Sequence, residues 1–131
     1  MSTRREARER ALALAYEREQ RVVSVEELLD AMPVPPDPYA VRLVAGVEEH
    51  QEEIDAIIRK FSAHWALERM PVVDRALLRI GVFELGWVVE VPTAVVISEA
   101  VELAKQYSTK DSGRFVNGLL GRISEHVRLE G

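Results

Sequence analysis

Apolar residues recur at helical spacing along most of the chain, so the pattern favours helices over strands. The first helix is expected over residues 3–20. Four apolar residues form a single stripe along it: Ala7, Ala11, Leu14 and Ala15. This stripe predicts a helix that packs one face against a core and leaves the other in water.

Two local signals mark the starts of the next helices. Ser24 and Glu27 have the spacing of a capping box, in which each side chain reaches the other residue's backbone N–H. Asp37 followed by Pro38 combines an N-cap residue with proline at the first helical position. A proline-rich loop over residues 32–38 is expected between these two helices.

The remainder of the chain predicts four more helices. They are expected over residues 51–62, from about 71, from about 93 and over 111–127, with a loop at 106–110 before the last. Residues 76–85 are apolar almost all round, which is typical of a central, buried helix. In the sixth helix, four residues are predicted to face inward: Val96, Ala100, Leu103 and Tyr107. Residues 88–91 have strand propensity but no partner, so we expect a connector there. The predicted fold class is all-α, with about seven helices.

Composition narrows the class of protein. The chain has 131 residues, of which 47% are hydrophobic and 30% charged, as expected for one globular domain without disulfides or thiolate metal sites. It has no cysteine, and no apolar run approaches the length of a membrane span. We therefore expect a cytoplasmic protein that does not bind membranes. The three histidines, His50, His64 and His126, lack ligand spacing, and no catalytic motif is present, so we expect no metal, no cofactor and no enzyme activity.

The net charge of −5 argues against a non-specific nucleic-acid binder, but the distribution of charge is uneven. Four arginines are crowded into the first ten residues: Arg4, Arg5, Arg8 and Arg10. Arg4 and Arg8 are one helical turn apart, and the helix N-terminus adds partial positive charge to the same region. This cluster is typical of a phosphate-binding site. It is also compatible with a solvated helix end paired with Glu6 and Glu9.

A second candidate site lies at residues 110–118. Asp111 or Thr109 can cap the last helix, and Arg114 and Phe115 then lie in its first turn. An aromatic residue beside an arginine at a helix start suits stacking of an unpaired base. The alternative is that Phe115 belongs to the core and Asp111 is only a cap.

The apolar central helix also carries charged residues, namely Asp74, Arg75, Arg79 and Glu84. Such groups on a buried helix serve internal pairing or a partner surface, and the pattern alone does not choose between these roles.

Four segments, in this order, resemble the NusB family: residues 4–16, 74–85, 91–105 and 111–120. The resemblance spans nearly the whole chain. It implies one RNA-binding domain built from two packed helical subdomains, at approximately 1–50 and 51–131.

The resemblance also implies a function in transcription antitermination. Members bind boxA RNA as a heterodimer with NusE, a ribosomal protein, and join the transcribing RNA polymerase complex with other Nus factors on ribosomal RNA operons. Family RNA contacts map onto Arg4, Arg5, Arg8, Asp111 and Phe115, to which the residue pattern adds Arg114. Family contacts with the protein partner map onto Tyr16, Asp74 and Glu84.

Two alternatives stay open, and a third is disfavoured. The chain could be an interaction module, or a homodimer, with little RNA binding of its own. It could be related to the NusB-like domain that opens certain ribosomal RNA cytosine methyltransferases. A DNA-binding helix-turn-helix is disfavoured, because Glu26, Glu27 and Asp30 would make its second helix acidic.

Overall fold

The computed structural model describes residues 3–63 and 65–128. Within these ranges it contains seven α-helices, one short 3₁₀ helix and no strand. The α-helices are α1 (Arg4–Arg21), α2 (Val25–Asp30), α3 (Pro38–Glu49), α4 (Gln51–Phe61), α5 (Val72–Trp87), α6 (Thr93–Tyr107) and α7 (Ser112–Val127). The all-α prediction is confirmed. The 3₁₀ helix (Leu67–Arg69), which joins α4 to α5, is not predicted by the sequence pattern.

Side-chain caps determine where the first three helices begin. The Thr3 hydroxyl accepts a hydrogen bond from the Glu6 N–H at 3.0 Å, and the Glu6 carboxylate accepts one from the Thr3 N–H at 2.7 Å. Ser24 and Glu27 form the same reciprocal pair at the start of α2, as predicted. The Asp37 carboxylate accepts a backbone N–H in the first turn of α3. Such caps each stabilise a helix by about 1 kcal/mol because they satisfy otherwise unpaired donors.

The central position predicted for α5 is confirmed. Every residue from 74 to 85 except Arg79 is buried, and α5 packs against α1, α3, α4, α6 and α7. The contact with α3 requires a glycine. A Cβ atom on Gly46 would lie 2.1 Å from Cζ of Phe83, so a larger residue there would push the two helices apart.

Arg128 closes the C-terminal end of α5. Its guanidinium donates hydrogen bonds to the backbone carbonyls of Glu84, Leu85, Val88 and Val91, at distances between 2.7 and 3.2 Å. The last carbonyls of a helix have no partner within that helix, so one arginine satisfies several of them.

The end of α6 differs from the prediction. Val96, Ala100 and Leu103 face inward as expected, but Tyr107 is 48% exposed. Its hydroxyl donates a 2.7 Å hydrogen bond to the Glu9 carboxylate on α1, so it lies over the surface between two helices. Because α6 continues through Tyr107, the connection to α7 is shorter than predicted and covers residues 108–111.

The helices contact one another in groups. α1, α2 and α3 contact each other, α6 packs along α7, and α5 touches helices of both groups. The division into two subdomains near residue 50 stays a prediction. No helix among the described residues is both long enough and apolar enough to cross a lipid bilayer.

Candidate nucleic-acid interface

The first turn of α1 presents two exposed arginines. The guanidinium carbon of Arg4 lies 3.9 Å from the centre of the Tyr39 ring, which is cation–π geometry. Arg5 donates to the Glu99 carboxylate on α6 through Nε at 3.1 Å and Nη2 at 2.7 Å. The hydrogen bond with Arg5 lowers the pKa of Glu99. Arg5 nevertheless keeps 56% of its side chain exposed and has further N–H groups that point away from Glu99.

Arg8 lies one turn further along α1 and is buried, with 4% of its surface exposed. Its Nε and Nη2 donate to the Glu84 carboxylate at 2.8–3.2 Å, and Glu84 is 1% exposed. The Tyr39 hydroxyl donates to the same carboxylate. Burial, together with this hydrogen bond, raises the pKa of Tyr39 to about 12. Arg8, Tyr39 and Glu84 are called the buried network below.

The expectation that Arg4 and Arg8 share a helix face is met, but only Arg4 is exposed on it, whereas Arg8 is buried. Both guanidinium groups lie over the Tyr39 ring, at 3.9 Å and 5.7 Å from its centre. The surface cluster predicted from the spacing therefore divides into Arg4 and Arg5 outside and Arg8 inside. Arg8 is not accessible to a phosphate in this conformation, because its N–H groups face Glu84.

The start of α7 is tied to α5 by the Asp74 carboxylate. Asp74 is 3% exposed and accepts hydrogen bonds from the hydroxyls of Ser108 and Ser112. The Ser112 hydroxyl in turn accepts the Thr109 N–H at 3.1 Å. Asp111 occupies the N-cap position, but no side-chain hydrogen bond caps α7. The predicted N-cap position of Asp111 is therefore confirmed, but neither its side chain nor that of Thr109 caps the helix, because Ser112 and Asp74 organise the turn.

An aromatic cleft lies beside this turn. The Phe115 ring is partly buried, and its centre lies 6.2 Å from that of Trp65, with 49° between the ring planes. A cleft of about 400 Å³ is lined by these two rings together with Pro71, Asp74, Thr109, Asp111 and Ser112. The expectation that Phe115 lies at an accessible position near Asp111 agrees with this geometry, although part of the ring packs on the core.

Trp65 is a candidate that the sequence reasoning missed. It follows α4 in a segment without helical periodicity, and 51% of its surface is exposed. The signal that could have found it is the residue type, because an aromatic ring in a connector offers a face on which a base can stack.

Two cations are chain neighbours of residues that line the cleft. Lys110 and Arg114 lie on either side of Asp111 in the chain, and all three are exposed. Within residues 3–63 and 65–128, neither cation forms a salt bridge and the Asp111 carboxylate accepts no hydrogen bond. The segment that borders the cleft thus carries two cations without an ion-pair partner among the described residues, next to the open carboxylate of Asp111.

The two groups of predicted RNA-binding residues do not touch each other. No hydrogen bond or salt bridge among the described residues joins Arg4 or Arg5 to the start of α7. Helix α6 connects them, since Glu99 near its middle holds Arg5, and Tyr107 at its C-terminal end reaches Glu9 on α1.

The residues of this chain that are predicted to contact the protein partner also differ in exposure. Tyr16 is 47% exposed on α1 and accessible, whereas Asp74 and Glu84 are buried at 3% and 1%. Both carboxylates are occupied by internal hydrogen bonds. Asp74 and Glu84 hold neighbouring helices together in this conformation, and only Asp74 reaches a surface, at the base of the cleft that it helps to line.

No group of three or more potential ligands with metal-binding geometry occurs in the described part of the chain. His50 stacks on Trp87, with 4.4 Å between ring centres, and His126 lies against Phe61. His64 lies outside the described residues.

Comparison with known proteins identifies the family. The NusB family model matches residues 5–125. The transcription antitermination protein NusB of Kineococcus radiotolerans is 48% identical over 129 residues and covers 95% of each chain. The protein of the same name from Streptomyces avermitilis is 46% identical over 134 residues, covering 95% of this chain and 93% of the relative. These relatives are named as antitermination proteins, in line with the prediction of a non-enzymatic protein.

Solved structures point to the same family. NusB of T. maritima superposes with a TM-score of 0.84 at 34% identity, covering 95% of this chain and 92% of that one. A crystal structure of the antitermination factors NusB and NusE in complex with dsRNA gives 0.79 at 32% identity, with coverage of 94% and 96%. The chain therefore belongs to the NusB family.

Proposed function

We propose that this chain acts in transcription antitermination by binding boxA RNA as a heterodimer with the ribosomal protein NusE, in the cytoplasm. The observation that carries the proposal is the likeness to NusB in the complex with NusE and dsRNA, which extends over 94% of this chain and 96% of that one. The RNA-bound heterodimer would then join the transcribing RNA polymerase with other Nus factors on ribosomal RNA operons.

The RNA surface we propose has two parts. Arg4 and Arg5 at the start of α1 bind phosphates, which supplies salt-dependent affinity. At the start of α7, Arg114 binds phosphate, Phe115 stacks an unpaired base and Asp111 accepts hydrogen bonds from a base edge. This arrangement is supported by the exposure of both arginine groups and by the open Asp111 carboxylate.

Arg8 contributes in a different way from the RNA contact that the resemblance implies. Its salt bridge with Glu84 holds α1 against α5, and it thereby positions Arg4 and Arg5 on the surface. Tyr16 is the accessible residue for NusE among those predicted, whereas Asp74 and Glu84 support the surface from within.

The test is a titration of fluorescent boxA-type RNA with the chain, alone and with NusE, at about 50 mM and about 200 mM salt. We expect affinity that rises with NusE and falls with salt. Arg5→Ala should lower the affinity and reduce the slope of log K against log salt by about 0.7, the value for one contact with single-stranded RNA.

Arg21→Ala is the matched control. Arg21 lies on the same helix, about 24 Å from Arg5 at the rise of an α-helix. It has nearly the same side-chain exposure, 55% against 56%, and is also paired with a glutamate. If both variants change the affinity and the slope equally, the start of α1 is not the phosphate site.

The alternatives predict other results. An interaction module binds NusE but no RNA at either salt concentration. A homodimer that covers the RNA surface elutes at twice the mass on a sizing column and binds RNA more weakly as its concentration rises. The relatives reported above are antitermination proteins, which favours this function over that of a methyltransferase domain.

A further inference from the structure

Trp65 is held in place although its side chain is half exposed. Its backbone N–H donates a 2.8 Å hydrogen bond to the Ser62 carbonyl at the end of α4. Two residues later, Leu67 is 1% exposed and anchors the 3₁₀ helix in the core. The backbone of Trp65 is therefore bonded to the end of α4, and the 3₁₀ helix that follows it is anchored in the core, while the indole stays half exposed.

The indole and Phe115 form adjacent walls of one cleft. Their ring centres are 6.2 Å apart and their planes are inclined by 49°. A base inserted between two parallel rings needs about 7 Å, twice the contact distance of roughly 3.5 Å between carbon atoms. A base therefore does not fit between these rings, but it can stack on the outer face of one ring and meet the other at its edge.

The rim of the cleft favours a nucleotide over an apolar protein segment. Lys110 and Arg114 are exposed and are the chain neighbours of the lining residues Asp111 and Phe115, and the Asp111 carboxylate is open to hydrogen-bond donors. Positive charge beside an aromatic platform is the combination that binds single-stranded nucleic acid, since phosphates follow the cations while bases stack. An apolar occupant would leave these three charged groups without partners as it displaced their water.

We propose that Trp65 is a second base-stacking residue, which with Phe115 forms the binding site for an unpaired RNA base in the cleft beside α7. The proposal rests on the proposed RNA-binding function and extends it to a residue outside the α1 and α7 segments. A cleft of about 400 Å³ has the volume typical of small-ligand pockets, so one base fits within it.

Trp65 provides its own spectroscopic test. The chain has two tryptophans, and Trp87 is half-buried, with its ring stacked on His50. In a Trp87→Phe variant, Trp65 is the sole tryptophan, and stacking of a base on the indole quenches its emission. Titration with single-stranded boxA-type RNA in the presence of NusE should give quenching that follows the same binding curve as the anisotropy of labelled RNA.

The affinity of substituted chains gives a second measurement that does not depend on Trp87. Trp65→Ala in the natural background should weaken RNA binding by roughly fivefold to a hundredfold, the range for loss of one stacked base. Trp65→Phe should retain most of the affinity because it keeps an aromatic face. Tyr107→Ala is the control, since Tyr107 is similarly exposed, at 48% against 51%, but does not line the cleft and is not among the residues proposed to bind RNA or NusE.

The outcomes separate this proposal from the function on which it rests. If RNA binds, but Trp65→Ala binds as tightly as the unchanged chain and Trp65 emission is not quenched, the proposal is overturned while the proposed function stands. If Trp65→Ala weakens association with NusE and leaves RNA binding unchanged when NusE is saturating, the cleft is a protein contact and the proposal is again overturned. If the unchanged chain with NusE binds no RNA at low salt, both fail.

Discussion

The buried network beneath α1 and the cleft beside α7 both contain ionisable and aromatic residues, but the two regions differ in how accessible these residues are and in whether they are paired internally. In the network, Arg8, Tyr39 and Glu84 are nearly inaccessible, and their hydrogen bonds are made to one another. In the cleft, Trp65 and Asp111 are exposed, and the Asp111 carboxylate has no hydrogen-bonding partner among the residues described. An ionisable or aromatic residue thus holds the fold where its interactions are satisfied internally, and is available for binding where they are not.

The energetic consequences differ as well. A buried ion pair adds little net stability compared with an apolar pair, but removal of one member leaves a charge in a medium that solvates it poorly. An exposed group has water as an alternative partner, so its removal changes the fold little. Substitutions in the network should therefore act on folding, and substitutions in the cleft on binding.

The largest effect is expected for Arg8→Ala. It leaves the Glu84 carboxylate buried with only the Tyr39 hydroxyl as a partner, which should lower the free energy of unfolding by about 3–5 kcal/mol. Urea unfolding followed by circular dichroism measures this change. A loss below about 1 kcal/mol would mean that Glu84 reaches water in solution, and Arg8 would then regain its predicted place as a phosphate contact.

Much of the fold follows from local sequence signals. The capping box of Ser24 and Glu27 and the Asp37–Pro38 start involve residues within three positions of each other, so the chain shows them directly. The apolar run in α5 similarly predicts its own burial, because no helix face is left polar enough for water.

The pairing of Arg8 with Glu84 could not be predicted in this way. These residues are 76 positions apart, and helical spacing shows only that Arg4 and Arg8 share a face, not which way that face points. The pattern missed Trp65 for a different reason. It lies in a connector where no periodicity exists, and its proximity to Phe115 arises only when α7 packs beside the end of α4.

A smaller effect, dependent on pH, is expected for Tyr39→Phe. Burial and the hydrogen bond to Glu84 raise the pKa of Tyr39 from 10.0 to about 12 in the folded chain. The neutral phenol therefore stabilises the fold fully below pH 10, and this contribution is lost as the pH rises towards 12. The unchanged chain should lose roughly 1–2 kcal/mol more than Tyr39→Phe between these values.

Urea unfolding of both chains at several alkaline pH values measures that difference. Tyr16→Phe provides the control, because Tyr16 is exposed and its hydroxyl makes no hydrogen bond within the described ranges. Equal alkaline losses for Tyr39→Phe and the unchanged chain would mean that Tyr39 ionises as an ordinary tyrosine, and the buried network would then be open to solvent.

The smallest effect, and one of opposite sign, is expected for Glu99→Gln. Glu99 occupies two N–H groups of Arg5, and the hydrogen bond from Arg5 lowers the pKa of Glu99, so the carboxylate stays charged near neutral pH. A phosphate must compete with it. The neutral amide removes this competition, and RNA affinity at low salt should rise roughly two- to fivefold, as expected for an exposed ion pair.

Glu17→Gln separates this local effect from the change in net charge. Glu17 pairs with Arg21 at the other end of α1, so this variant removes the same charge far from the proposed RNA surface. If Glu99→Gln strengthens binding and Glu17→Gln does not, Arg5 acts as a phosphate ligand that Glu99 restrains. If Glu99→Gln weakens binding, Glu99 instead orients Arg5 towards the RNA, and the start of α1 is then preorganised in the same sense as the buried network beneath it.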